Sequence, residues 1–313
     1  MIAGRRLRRG MSEGSFPPNS ASSDRALRGI ALTLAGGALW GVNGTVSKYI
    51  MATYGVDPLW FACVRELTAC WLFLAMAALR NRASLKEVLH TPRALAGILR
   101  FAIGAILFSQ VAYLEAINWT NAGTATVLQS LSMALVLVVV CIRSKRRPRH
   151  REALGLVLAF AGTYLVATGG DPSTLALPLG GLLWGLICAV AAASLTILPV
   201  RLMRQWGNFV VNGLAFLFSG LVLSALFRPW EHMPSLDGVG WACIGFSVVF
   251  GTFGAYALYL QGVKEVGSVR GSLLGTSEPV VATISSVVFL GTSFSAADLL
   301  GFAAIIATVF LTA

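Results

Sequence analysis

Three ionisable residues stand inside runs that are otherwise apolar. Arg65 and Glu66 are neighbours in PLWFACVRELTACWLFLAM, and Glu278 sits in GTSEPVVATISSVVFLG. An arginine fork clasps a carboxylate through two parallel hydrogen bonds. A carboxylate withdrawn from water pairs an ammonium group or carries a proton, and ionisable groups at such depth are functional candidates by default. The structural alternative is a buried ion pair, Arg65 with Glu66 or Glu278, that ties helices together. Adjacent residues lie about 100° apart around a helix, so Arg65 and Glu66 cannot both face one way.

Pro279 adds to the case for Glu278. A proline within a helix has no N–H and displaces the carbonyl four residues back, here that of Gly275. The expectation is a free carbonyl and unwound backbone beside Glu278, Thr276 and Ser277, the device broken membrane helices use to hold ions and ammonium groups. A plain kink is the alternative. Neutral candidates follow: Asn43 and Ser47, Gln110 and Tyr113, Thr126, Gln129 and Ser130, Tyr256 and Tyr259, with Trp40 and Trp184 as aromatic walls. Each also suits a plain interhelical hydrogen bond or aromatic packing.

Other chemistries find little support. Cys63, Cys70, Cys141, Cys188 and Cys243 lie in apolar runs with no C-x-x-C pair and no matching histidine, so no metal site and no disulfide is expected. His90, His150 and His232 fall in polar connections, which removes the commonest general base from the apolar interior. We expect neither an enzyme nor a cofactor.

The elements that must position these residues are membrane spans. Of 313 residues 56% are hydrophobic and 12% charged, against roughly 25% charged in soluble domains, and the mean hydropathy is +0.76. A span needs about 20 apolar residues. Ten runs qualify: 30–53, 57–79, 95–117, 122–142, 153–169, 179–203, 208–227, 238–262, 268–290 and 295–312. Lys48, Glu115, Arg100 and Arg270 lie near the ends of their runs, at depths where side chains reach the interface.

The net charge of +11 would suit nucleic acid, but its distribution argues otherwise. Arg and Lys concentrate before residue 29, around Arg80 to Arg93, in RSKRRPRHR (Arg143 to Arg151), at Arg201 and Arg204, and at Lys264; the alternate connections hold only Arg228. Cytoplasmic connections carry this excess, so both termini are expected in the cytoplasm, and the cations serve orientation and contact with anionic lipid. Residues 1–28 read as a disordered basic tail. Met11 offers an alternative start, and the first apolar run is too long for a cleaved signal.

The chain also repeats itself. GGALWG (Gly36 to Gly41) returns as GGLLWG (Gly180 to Gly185), YLEAINWTNAGTATVLQSLSM starting at Tyr113 aligns with YLQGVKEVGSVRGSLLGTSEP starting at Tyr259, and EALG at Glu152 aligns with DLLG at Asp298. No strand precedes these glycines and no Lys-Ser/Thr follows, so they form no phosphate loop. Gly37 and Gly41, Gly181 and Gly185, and Gly267, Gly271 and Gly275 have the four-residue spacing that lets membrane helices approach closely. Two halves, 29–170 and 179–313, hold five spans each. Five is odd, so the halves are inverted, the architecture of many secondary carriers.

Two such halves, LWGVNGTVSK in the first run, Pro58 with Arg65 seven residues on, and EPVVATISSVVFLG in the ninth closely resemble the EamA-type branch of the drug/metabolite transporter superfamily. The resemblance covers about residues 29–313. It implies a multi-pass carrier of the bacterial inner membrane, with a cavity walled by both halves and amino acids or other small metabolites as exported substrates. The leading expectation is a proton- or gradient-linked exporter, as monomer or homodimer. An importer, an exporter of drugs or organic cations, and a membrane scaffold without transport are the competing readings. The family commonly carries a glutamate in an LGE pattern after the fourth or ninth span. Here LGT (Leu290 to Thr292) and CIRSK stand instead, so no role passes from that residue.

Overall fold

The computed structural model describes residues 20–312 apart from 172 and 174. Among the described residues there is helix and no strand. We number α1 (Ser20–Tyr54), α2 (Pro58–Arg80), α3 (Arg82–Leu89), α4 (Pro92–Trp119), α5 (Ala122–Arg143), α6 (His150–Thr168), α7 (Leu179–Ile197) and α8 (Val200–Trp206). There follow α9 (Asn208–Phe227), α10 (Gly238–Val266), α11 (Ser268–Gly275), α12 (Ser277–Leu290) and α13 (Ala296–Thr312). Among the described residues nine helical runs are long and apolar enough to cross a membrane, α11 and α12 counting as parts of one; α13 is apolar but has 17 residues.

Local signals start several helices. Asp57 accepts from Leu59 N–H at 2.7 Å with Pro58 at the first helical position, where the missing N–H costs nothing. Asn121 accepts from Thr124 N–H at 2.8 Å. Asp237 accepts from Gly240 N–H at 2.8 Å and from the Tyr54 hydroxyl at 2.7 Å; these donors hold its carboxyl below the usual range.

Two expectations are corrected. The first helix begins at Ser20, so residues 20–28 are helical and not a loose tail, while 1–19 lie outside the described residues. A formed span lets helix propagate backwards through SASSDRALR, since adding a turn to an existing helix is cheap. The run 179–203 ends at Ile197, because Pro199 cannot donate back to Leu195. Arg201 and Arg204 then ride on the separate helix α8, pinned by the buried Trp206.

The packing brings α1 against α10 and α12, α4 against α7, α5 against α7 and α12, α2 against α9, and α6 against α13. Two irregularities recur at matching places. α4 contains a π-helical turn at Ala102–Leu107 and α10 another at Ser247–Gly254. α5 breaks at Leu131 and the α11–α12 run at Thr276. In both cases the second lies 145 positions after the first, counted from Ala102 and Leu131.

Candidate functional site

The central cavity, of about 130 Å³, is lined by Trp40, Asn43, Arg65, Ser109, Gln110, Tyr113, Gln129, Leu195, Gly251, Thr252, Tyr256 and Glu278. A second chamber of about 170 Å³ is lined by Trp40, Thr126, Gln129, Ser130, Ser132, Met133, Tyr259, Ser272, Gly275, Thr276, Glu278, Pro279 and Val309. Trp40, Gln129 and Glu278 line both, so they form the partition between them.

Arg65 is 3% exposed and donates to Gln110 Oε1. Its guanidinium carbon lies 5.6 Å from the centre of the Phe61 ring, a cation–π contact. Its Nε, Asn43 Oδ1 and the Tyr113 hydroxyl are buried without a protein partner. Buried polar groups are rarely left unpaired, and these three unpaired atoms all belong to residues lining one cavity. No ion pair within 4.0 Å joins Arg65 to Glu66 or Glu278 among the described residues. The ion pair that would merely tie helices together is therefore not formed.

Glu66 does not line the cavity. It is 0% exposed, and neither carboxylate oxygen has a hydrogen-bond partner. It lies in the α2–α9 seam, where a Cβ built on Gly220 would stand 3.2 Å from Glu66 Cβ and Ser219 faces it outside hydrogen-bond geometry. The helical turn of about 100° per residue thus sends the two neighbours to different places.

Trp40 meets Tyr256 edge-on at 5.1 Å and Tyr259 at 5.0 Å. The Tyr259 hydroxyl donates to Gly271 C=O at 3.2 Å. Ser47 and Trp184 fall outside both chambers: the Ser47 hydroxyl donates to its own helix at Asn43 C=O, 2.7 Å, and Trp184 packs on the apolar cluster that includes Leu114 and Ile117. Lys48 reaches Asn118 C=O at 2.7 Å near the end of α4.

The glycines sit at close crossings. A Cβ on Gly41 would meet Glu278 C=O at 2.6 Å and Ala282 N at 2.8 Å, and one on Gly37 would strike Ser277 Oγ, so α1 lies directly on α12. Gly181 faces Thr120 and Gly185 faces the Leu128 side chain, which brings α7 onto the α4–α5 corner and α5. Gly271 faces Val263, and Gly275 faces the Tyr259 hydroxyl at 3.2 Å. Beside Glu278 the backbone is not unwound over a stretch. It breaks for one residue, with Thr276 N–H and hydroxyl both donating to Leu273 C=O at 3.2 and 2.7 Å. Leu131 makes the same break with Ala134 three residues on, where the later run has Pro279, so proline is not what the break requires. At the LGT departure, Gly291 takes φ +64°, a left-handed end that suits glycine, and Thr292 N–H donates to Ser286 C=O at 3.2 Å.

Ser109, Leu195, Gly251 and Thr252 in the first chamber, and Ser132, Met133, Ser272 and Val309 in the second, were not anticipated. Ser109 stands four residues before Tyr113, a spacing that would have found it. Gly251 and Thr252 reach the cavity through the π-helical turn, which leaves no periodic signature.

A bundle of helices long and apolar enough to cross a membrane, around a charged and partly unsatisfied cavity, defines a multi-pass membrane protein. The chain belongs to the EamA-like transporter family, which it matches over residues 27–168 and again over 179–313. It is 30% identical to a protein named Uncharacterized inner membrane transporter YicL of Salmonella typhimurium, over 91% of this chain and 94% of that one. It is 24% identical to Uncharacterized transporter YwfM of Bacillus subtilis (84% and 86% covered) and to Uncharacterized inner membrane transporter YedA of Escherichia coli K12 (87% and 86%). A protein of known crystal structure, 17% identical, superposes with a TM-score of 0.59 over 94% of this chain and 96% of that one, a likeness of fold alone. Membership makes this chain a membrane transporter of small molecules.

Proposed function

We propose that the protein exports amino acids or closely related zwitterionic metabolites across the bacterial inner membrane by alternating access. In this reading Arg65 takes the substrate carboxylate, and Glu278 takes the ammonium group or a coupled proton. The observation that carries it is a single small cavity holding one arginine and one carboxylate that do not pair with each other. Asn43, Gln110 and Tyr113 supply hydrogen bonds and Trp40 with Tyr256 an aromatic wall. A bare organic cation would leave the Arg65 charge uncompensated, so that alternative is disfavoured on electrostatic grounds.

The mechanism needs ten spans in two inverted halves, 29–170 and 179–313, with both termini cytoplasmic. Support comes from the two family matches, the recurrence of the π-helical turns and helix breaks at one spacing, and the reciprocal pairing of helices. Away from the basic end the α1–α12 seam is sealed by Thr45 Oγ1 against Ser285 Oγ at 2.6 Å. Alternating access then consists of opening that seam while closing the chambers on the basic side.

The test is counterflow in proteoliposomes preloaded with single amino acids, organic cations or sugars. Accelerated exchange of zwitterions, lost on Arg65→Gln, is the expected result. Exchange of organic cations alone, or of nothing in the panel, overturns the reading.

A further inference from the structure

A groove separate from both chambers opens between the α1–α10 pair and the α2–α9 pair at the basic end of the helices. It measures about 670 Å³. Arg28, Arg80 and Lys264 stand at its mouth, and no carboxylate is among its lining residues. Glu265 lies close by and takes part of the Arg28 charge, with Nε at 3.9 Å. Arg80 and Lys264 have no carboxylate within 4.0 Å among the described residues. From the mouth the wall continues along the bundle through Leu32, Phe253 and Leu258.

Cations at the level of the helix ends and apolar side chains beyond them match the two parts of an anionic amphiphile in order. The geometry points to a binding site for one anionic phospholipid, its phosphate held by Arg28, Arg80 and Lys264 and an acyl chain lying along Phe253 and Leu258. A free phosphate would satisfy the mouth and leave the apolar wall unmatched. The position gives the lipid a lever on transport. Phe253 belongs to the π-helical turn Ser247–Gly254, whose Gly251 and Thr252 line the central cavity. An acyl chain in the groove presses on this turn from its far side.

Native mass spectrometry of the full chain, released from bilayers of mixed phosphatidylcholine and phosphatidylglycerol, tests the site by counting retained lipid. Its readout is independent of any substrate. One phosphatidylglycerol is expected to stay bound, and the variant R28Q/R80Q/K264Q is expected to lose its preference over phosphatidylcholine by at least about tenfold. Leu258→Trp, which fills the wall and keeps the charges, is expected to lose retention as well, and it carries the test should the triple variant fail to fold. R143Q/R149Q/R151Q removes the same charge outside the groove and is expected to retain the lipid. Equal loss in that control reduces the effect to diffuse surface attraction and overturns the site. Retention unchanged in Leu258→Trp, or displacement of the lipid by millimolar inorganic phosphate, overturns the lipid in favour of a free anion.

Discussion

Helix α5 and the α11–α12 run are the same backbone device with different chemistry. Each breaks once, at Leu131 and at Thr276, and each lines the second chamber next to the break. Yet α5 offers Gln129, Ser130 and Ser132 there, whereas the later run offers Glu278, and Met133 stands in α5 where Glu278 does, two residues after the break. Arg65 is likewise confined to one half. Geometry is doubled, and charge is not. Backbone packing can be copied because either helix fits the same neighbours. Two carboxylates or two arginines in one small cavity would instead repel.

On this division the largest effect belongs to the unique charge. Glu278→Gln should lower counterflow roughly 100-fold, the scale of losing one partner of a buried charge contact, while Ser132→Ala beside the matching break changes it by less than about threefold. Comparable losses in both would make the two helices chemically equivalent and break the comparison.

Arg65→Gln should lower exchange of zwitterions by at least about tenfold. Glu66→Gln should leave exchange within about threefold and the melting temperature unchanged or raised, because an unpaired buried carboxylate is itself costly. Loss of exchange in a folded Glu66→Gln variant would move the proton site into the α2–α9 seam.

The glycine crossings sharpen the contrast on the side of stability. Gly41→Ala forces a methyl against backbone atoms of α12 and should destabilise by about 1–3 kcal/mol. Gly185→Ala meets a leucine side chain that can turn aside, and should cost less than about 1 kcal/mol. Thermal melting in detergent reads both. The smallest effect is expected for Pro279→Ala. The break at Leu131 forms without proline, so exchange should change by less than about twofold, the kink having another cause. A large loss would return the proline to the centre of the mechanism.

Much of this was legible beforehand. Apolar runs give helix positions because a bilayer demands about 20 such residues, and eight of the boundaries at Tyr54, Pro58, Trp119, Ala122, Thr168, Leu179, Asn208 and Phe227 fall within three residues of the runs read from sequence. Trp40, Asn43, Arg65, Gln110, Tyr113, Gln129, Tyr256 and Glu278 were named as candidates and do line one cavity. Polar side chains within apolar runs are few, and the interior is the only place that suits them. What failed were residues whose role depends on a neighbour: Ser47, satisfied within its own helix; Trp184, packed on an apolar cluster; and Glu66, turned to α9.

The sequence alone determined that the chain enters a membrane, where its helices run, and which side chains are too polar for lipid. It did so because hydropathy and charge are summed locally along the chain. Only the tertiary structure decided that Arg65 faces the cavity and Glu66 does not, that Arg65 and Glu278 stay unpaired, and that Gly37 and Gly41 of GGALWG lie on α12. Those outcomes depend on rotation about each helix axis and on distances between helices far apart in the chain. A one-residue π-helical insertion or a single break at Thr276 changes both without altering composition.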